Sequence, residues 1–319
     1  MSYMPCRLIR LHEKNPVFRT HSWITVVYYG GMFDIALATC RELPALADDD
    51  AVLLKALQRR NLSVCMHFWD DPEVDWAEAK LTLIRTTWDY HHRLDAYMQW
   101  AERVATQSEL WNPAAVIRWN THKGYLRQLA ELGIPIIDTT WVAHGASVEL
   151  AEVCDAHSWK EVVIKPAVGA SSHESIRMPL CDLSRGQEHL DRLVPAHDMM
   201  IQPFVNSVVT DGEVSLLWID GQFTHAVRKR AKQGDYRVQD DFGGTIEAVT
   251  LDPIWVNIGQ QCIDAISEEI LYARVDLVCN NQGEYVVIEL ELVEPALYFL
   301  QGPESAELLV NALVTRIDR

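Results

Sequence analysis

No Cys-x-x-Cys pair occurs in this chain. Its seven cysteines, at positions 6, 40, 65, 154, 181, 262 and 279, are odd in number and scattered. That argues against a disulfide frame or a zinc ribbon and fits reduced thiols in a cytoplasmic protein. Basic residues are scarce: 28 Lys and Arg against 45 Asp and Glu leave a net charge of −17. Nucleic acid and anionic membranes both need a basic face, so neither is an expected partner. No apolar run reaches membrane-spanning length. No glycine-rich dinucleotide fingerprint follows the first strand and no P-loop spacing occurs, which disfavours the familiar NAD and NTP folds. Internal repeats and low-complexity segments are absent as well.

What is present is an ordinary enzyme composition, 49% hydrophobic and 23% charged over 319 residues, enough for two or three cored domains. Residues 1–33 read as an extension. Trp23–Phe33 is apolar and follows Arg7, Arg10, Lys14 and Arg19, loosely like a secretion signal, and Leu37–Cys40 resembles a lipoprotein cleavage site. Asp34 interrupts the apolar stretch and no small-x-small site precedes it, so export is not expected. Met32 is an alternative start.

From Asp34 onward strands and helices alternate: strands at 34–39, 62–68 and 81–85, helices at 52–60 and 95–106. This is the pattern of a parallel sheet with crossover helices. A helix is expected from Asn120 to Leu132, closed by Gly133, and another from Ser147 to Asp155. Strands follow at 161–165, 201–205, 213–219 and 222–228, the last two joined by the hairpin signal Asp220-Gly221. Helices at 253–269 and 303–317 complete the chain.

The stretch Leu271–Pro295 holds the densest chemistry. It reads as two strands joined by a turn at Asn280–Gly283, with Arg274, Asp276 and Val278 on one face of the first and Glu289 and Glu291 sharing a face of the second. Three carboxylates on paired strands repel unless a cation neutralises them. They form either an oxygen-ligand site for Mg²⁺ bridging to phosphates, or a solvated acidic face. Lys165 ends a strand and enters a loop of Gly and Ser, where an ammonium and backbone N–H groups can meet phosphate together; the same pattern also occurs at a surface edge. Arg228-Lys229-Arg230, followed by Arg237, forms a basic segment with Gly234, Gly243 and Gly244, expected to be a mobile loop in an otherwise acidic chain. Arg41, Arg85 and Asp89 fall beyond the carboxyl ends of strands, where open α/β domains gather ligands, and are candidates for gripping an amino-acid-like substrate. Trp69, Trp88 and Trp119 read as core aromatics. His91-His92 has no partner at metal spacing and reads as a solvated helix start, and His225 as a satisfied buried histidine.

In this order, Lys123, Lys165 with its loop, Gln202–Val205, Glu213, the Arg228–Gly244 segment, Asp276 and Glu289-x-Glu291, the chain resembles the ATP-grasp superfamily, which includes D-alanine–D-alanine ligase and glutathione synthetase. The phrases Thr39–Pro44, Trp69–Pro72, Arg85–Tyr90, Arg118–Thr121, Ala226–Arg230, Phe242–Gly244 and Glu289–Pro295 are similar to those of the O-ureidoserine cyclo-ligases of cycloserine biosynthesis. The resemblance implies an α/β fold: an open parallel-sheet N-terminal substrate domain (34–119), a small α+β ATP-grasp lid (120–199) and a larger α/β C-terminal domain with the metal site (200–319). It implies that Lys123 and Lys165 hold the α- and β-phosphates. Gln202, Phe204 and Val205 would lie at the adenine and Glu213 at the ribose. Arg228 or Lys229, with Arg237 nearby, would serve the γ-phosphate, and Asp276, Glu289 and Glu291 would hold Mg²⁺, with Mn²⁺ as a substitute. Arg274 would face the acyl-phosphate, making Arg274, Arg228 and Lys165 the catalytic set. Three departures stand out: Glu291 where the family usually has Asn, with Arg274 as an alternative partner for its oxygen; Gln202 where the hinge often begins with Glu; and His122 in place of Asp.

The implied activity is ADP-forming activation of a small amino-acid-like carboxylate for attack by nitrogen, either within one molecule by ring closure or between two as an amide ligase. A non-catalytic nucleotide-binding protein and an acidic scaffold are the remoter alternatives. The oligomeric state is left open, a homodimer included.

Overall fold

The computed structural model describes residues 32–238 and 243–318. The readings for residues 1–31 and for Phe242 lie outside the described residues.

The first unit grows from one apolar strand. β1 (Phe33–Thr39) is buried along almost its whole length, as expected of a strand covered on both faces. It lies between β2 (Val64–Phe68) and β3 (Ala79–Thr86), with β4 (Glu109–Trp111) beyond β3. The order is β2-β1-β3-β4, all parallel. Parallel neighbours require crossovers, two of which contain α1 (Asp50–Arg59) and α2 (Leu94–Ala105). Trp69 and Trp76 pack edge-on against Trp100 of α2, and Trp69 also against Tyr97, with Trp69 and Tyr97 centroids 5.0 Å apart.

The helix expected from Asn120 to Leu132 begins later, as α4 (Tyr125–Glu131), and Asn120 instead ends a preceding helix, α3 (Ala114–Asn120). The break has a cause. Lys123 donates its amide to the Ala167 carbonyl (2.8 Å) instead of continuing the helical ladder, which draws the chain toward the small sheet. Tyr125, Leu126, Leu129 and Ile134 pack in the core of the large antiparallel sheet, so the segment after 120 does not begin the small unit.

The small unit holds β5 (Thr140–Val142), β6 (Glu161–Pro166), β7 (Ile176–Pro179) and β8 (Met199–Pro203), antiparallel in the order β5-β8-β6-β7. The expected division at 199/200 therefore falls inside β8. α5 (Leu150–His157) and α6 (Leu183–Leu193) cover one face, burying Leu150, Cys154 and Leu190 against Val162, Ile164 and Ile201. Alternation along β6 leaves Glu161, Val163 and Lys165 on the other, open face.

The large sheet has the order β11-β10-β9-β12-β13, antiparallel throughout, from β9 (Glu213–Ile219), β10 (Gln222–Arg230), β11 (Thr245–Ala248), β12 (Tyr272–Cys279) and β13 (Tyr285–Glu291). Asp220 and Gly221, at φ 50° and 72°, make the expected tight turn between β9 and β10. The basic triplet is not loop: Arg228, Lys229 and Arg230 continue β10 and pair with β11. After the short α7 (Ser207–Thr210), α8 (Pro253–Asp264) is capped by Asp252, whose carboxylate accepts from the Ile254 amide, with Pro253 in its first turn. Gly259 lets α8 close on the sheet, since a Cβ there would stand 2.2 Å from the Trp218 ring. α9 (Glu304–Ile317) packs Leu309, Val310 and Leu313 in one core with Leu53 and Leu57 of α1 and Leu217 of β9, which fastens the first unit to the large sheet.

Candidate active site

The hairpin of β12 and β13 places the carboxylates. Asn280 turns it, its side-chain oxygen accepting from the Gln282 and Glu284 amides at 2.9 Å. The register sets Asp276 opposite Glu289 and Arg274 opposite Glu291, and a bulge after Asp276 shifts the rest of the ladder. On the other side β9 brings Ser215 opposite Asp276, and β10 brings Lys229 opposite Glu213. One sheet face thus carries Lys229, Glu213, Ser215, Asp276 and Glu289 in a row. Carboxylate oxygens of Asp276, Glu289 and Glu291 lie within 4.8 Å of one another.

Like charges this close stand only because cations are interleaved among them. Asp276, almost fully buried, accepts from Ser215 Oγ (2.6 Å), Arg274 Nε (3.0 Å) and Lys229 Nζ (2.8 Å). Burial opposes its ionisation, but Arg274 and Lys229 outweigh burial and hold its carboxyl well below the usual range. Lys229 also reaches Glu213 at 2.9 Å. Burial would discharge Lys229, yet Asp276 and Glu213 keep it firmly protonated. Glu289 meets Lys123 Nζ at 3.1 Å. Burial raises its pKa and the pull of Lys123 and Lys165 reverses that, leaving it lowered. Glu291 faces Arg274, the alternative partner expected for it. Burial pushes Glu291 up to about 7, Arg274 pulling it down and Glu289 and Asp276 pushing it up. Arg274 donates further to the Ala296 carbonyl (3.2 Å).

Lys123, just before α4, and Lys165, on β6, both act on Glu289. Lys123 Nζ donates to the Gly169 carbonyl at 2.8 Å, which ties it to the loop after β6. Lys165, on the open face of β6, has its pKa lowered by burial and by the Lys123 charge against the pull of Glu289. Gln202, the last buried residue of β8, donates to Thr139 Oγ1 (2.9 Å). The Phe204 carbonyl accepts from Asn281 (3.1 Å), and Arg177 lies over the Phe204 ring at 3.5 Å. Val205 is buried with Ile137, Val278 and Val286, an apolar wall beside the hairpin.

Other expected site residues lie elsewhere. Arg228 points to the opposite sheet face from Lys229, donating to the Asp211 carbonyl (2.8 Å) and lying over Trp255, because adjacent strand residues alternate. Arg237 is engaged with Asp235. Arg85 is a correction: only 1% exposed, it pairs with Asp50 (2.8 Å), donates to the Pro295 carbonyl and lies between Tyr272 and Phe299. Here it is a buried cation held by an internal ion pair. Arg41 is exposed, paired with Asp70 and lying over Phe68. Asp89 accepts from the Trp69 indole (2.7 Å) and from Arg93, which also holds Asp70. His91 and His92 are a second correction, since His173 from the loop after β6 joins them. His225, as expected, is satisfied, bonding Thr224 and the Tyr298 carbonyl.

Sequence reasoning missed Ser215 and the asparagines that hold the hairpin. Asn112 donates to the Tyr272 and Leu292 carbonyls and accepts from the Leu271 amide. Asn120 clasps the Leu290 carbonyl and the Leu292 amide at 2.8 Å each. It also missed Glu294, whose carboxyl burial pushes far up, with Glu291 adding repulsion. The only available signal was polar residues inside apolar phrases, such as Asn120 in Arg118–Thr121.

Two family models match. Residues 35–112 match the N-terminal domain of D-cycloserine synthetase DcsG, and residues 135–296 a RimK-like ATP-grasp domain. The cycloserine biosynthesis protein DcsG of Streptomyces lavendulae is 30% identical over 280 residues, covering 83% of this chain and 92% of that protein. Glutathione synthetase of Prochlorococcus marinus (strain MIT 9313) is 31% identical over 185 residues, 57% of this chain and 56% of that one. The crystal structure of D-cycloserine synthetase DcsG superposes with a TM-score of 0.81 at 28% identity, covering 89% of this chain and 99% of that one.

Proposed function

The chain belongs to the D-cycloserine synthetase family of ATP-grasp ligases, and from that premise we propose that it spends ATP to turn the carboxylate of a small amino-acid-like acid into an acyl-phosphate, which a nitrogen nucleophile then attacks. One observation carries this reading: Lys123, Lys165, Lys229 and Arg274 converge on Asp276, Glu289, Glu291 and Glu213 in a single cluster.

Four cations stand against four carboxylates there, so most of the charge on either side is offset before any ligand enters. The three clustered carboxylates are hard oxygen donors that fit Mg²⁺, with Mn²⁺ as a substitute. Asp276, Glu289 and Glu291 would hold such an ion, which would supply Lewis acidity to the phosphates. Lys123 and Lys165 would meet the inner phosphates, and Lys229, between Asp276 and Glu213, would offer its charge to the γ-phosphoryl group. The substrate carboxylate oxygen attacks the γ-phosphorus and ADP leaves. Arg274, braced by the Ala296 carbonyl, faces the oxyanion as nitrogen adds to the acyl carbon and phosphate departs. The loop after β6, tied to Lys123 through Gly169, keeps water from the acyl-phosphate. Gln202, Phe204 and Val205 would hold adenine and Glu213 the ribose.

Ring closure within one substrate, as from O-ureidoserine to cycloserine, is the reading we prefer over ligation of two molecules. Its support is the match of the first unit to the D-cycloserine synthetase N-terminal domain, since the ATP-binding part alone is shared with glutathione synthetase. Incubation with ATP, Mg²⁺ and single or paired amino-acid-like acids, with phosphate release and product mass as readouts, separates the two. Phosphate release with one acid, whose mass falls by one water on ring closure (the carbamoyl group then being lost by hydrolysis as CO₂ and NH₃ where the acid is O-ureidoserine), supports ring closure; an absolute need for two substrates overturns it.

A further inference from the structure

Three histidines with no part in that reaction meet between the first unit and the small sheet. His91 and His92 lie in the turn Tyr90–Arg93 that leads into α2, and His173 lies in the loop after β6. Ring centroids are 4.0 Å apart for His91 and His92, 4.9 Å for His91 and His173, and 4.8 Å for His92 and His173. One nitrogen of each lies within 4.8 Å of the others.

The decisive detail is His91. Its Nδ1 stands 3.1 Å from the Trp88 carbonyl oxygen. A carbonyl only accepts, so Nδ1 carries the proton and Nε2 presents its lone pair. That Nε2 is buried and has no hydrogen-bond partner among the described residues. A ring nitrogen fixed by a backbone carbonyl while the other is left bare is the arrangement of a metal-ligating histidine.

We infer that His91, His92 and His173 form a binding site for a first-row transition cation, Zn²⁺ foremost. Three imidazoles suit zinc and its neighbours, whereas Mg²⁺ prefers oxygen. Zinc ligands at 2.0–2.1 Å stand about 3.4 Å apart, so the rings need to close by about 1 Å. His92 and His173 are exposed and can turn to do so. The fourth position opens on a cavity of ≈ 780 Å³ that His91, His92 and His173 help to line. A cation here ties the loop after β6 to the first unit. That loop holds Ser171, Ser172 and Glu174 at φ 49°, 55° and 52°, backbone that persists only where its surroundings restrain it. Because the same loop carries the Gly169 carbonyl that anchors Lys123, occupancy acts as a clamp beside the phosphate lysines.

The test is titration of the chelator-treated full chain with Zn²⁺ against a chromogenic indicator, in excess Mg²⁺, with Co²⁺ as a spectroscopic probe. One equivalent and a Co²⁺ spectrum of nitrogen ligation are expected. His91→Ala and His173→Ala should each weaken binding by more than the about 10–100-fold lost with an outer-shell partner. His157→Ala, whose ring stacks on Trp159, and Glu289→Gln should keep the equivalent. Circular dichroism of the metal-free variants separates lost binding from lost fold. Absence of a bound equivalent in the unmodified chain, its survival in both His91→Ala and His173→Ala, or its loss in Glu289→Gln overturns the inference.

Discussion

Two charged residues with similar sequence settings divide sharply in role. Glu289 and Arg85 each sit near the end of a strand, yet one faces a cleft and the other the core. Replacing Glu289 by Gln exchanges one carboxylate oxygen of the proposed metal site for an amide nitrogen and removes the charge that pairs with Lys123. We expect turnover to fall at least about 100-fold while the melting temperature changes little, measured by phosphate release and calorimetry. Preserved turnover would put the metal elsewhere. Arg85→Met leaves Asp50 buried without its partner, a loss of about 3–5 kcal/mol in stability by denaturant unfolding. Adding Asp50→Leu should restore most of it, because an apolar pair replaces a broken ionic one. Activity per folded molecule should stay normal; a selective rise in substrate KM would return Arg85 to the substrate site. Sequence position could not separate these two cases, since a strand end serves a ligand contact and a buried ion pair equally well.

At the scale of elements, β10 decides which basic residue reaches the site. A segment of Arg and Lys rich in glycine reads as a mobile loop, but pairing with β11 on one side and β9 on the other makes it strand. Alternation then sends Lys229 to Asp276 and Arg228 to Trp255. Lys229→Met should cut turnover about 100-fold or more, the loss typical of removing one group aimed at developing charge, whereas Arg228→Gln should leave it near that of the unmodified chain. Equal losses in the two variants would mean that β10 shifts register on closing. The hairpin of β12 and β13 was the most legible element, because a period of two and an Asn/Gly turn specify it locally. The break between α3 and α4 was not legible: Lys123 leaves the helix for the Ala167 carbonyl, a partner on another unit.

Across the whole molecule, the site is assembled from two of the three sheets and from the break between α3 and α4. Lys123 follows α3, Lys165 comes from the small sheet, and the carboxylates come from the large one, so ligand binding should fasten the units together. Mg²⁺ with ADP at about 100 times Kd should add about 2.7 kcal/mol and raise the melting temperature, with both components required. No shift would favour the acidic scaffold. Sequence alone determined the fold class, the order of the site lysines and carboxylates, and the hairpin that sets Asp276, Glu289 and Glu291 on paired strands, because these rest on local periodicity, turn chemistry and motif order. Tertiary structure alone decided that Arg85 is an internal ion pair and that Glu291 meets Arg274. It also decided that Asn112 and Asn120 clasp the hairpin, and that His173 joins His91 and His92. Each of those depends on which distant segment arrives opposite a side chain, and a partner brought by folding leaves no mark on the residues beside it in the chain.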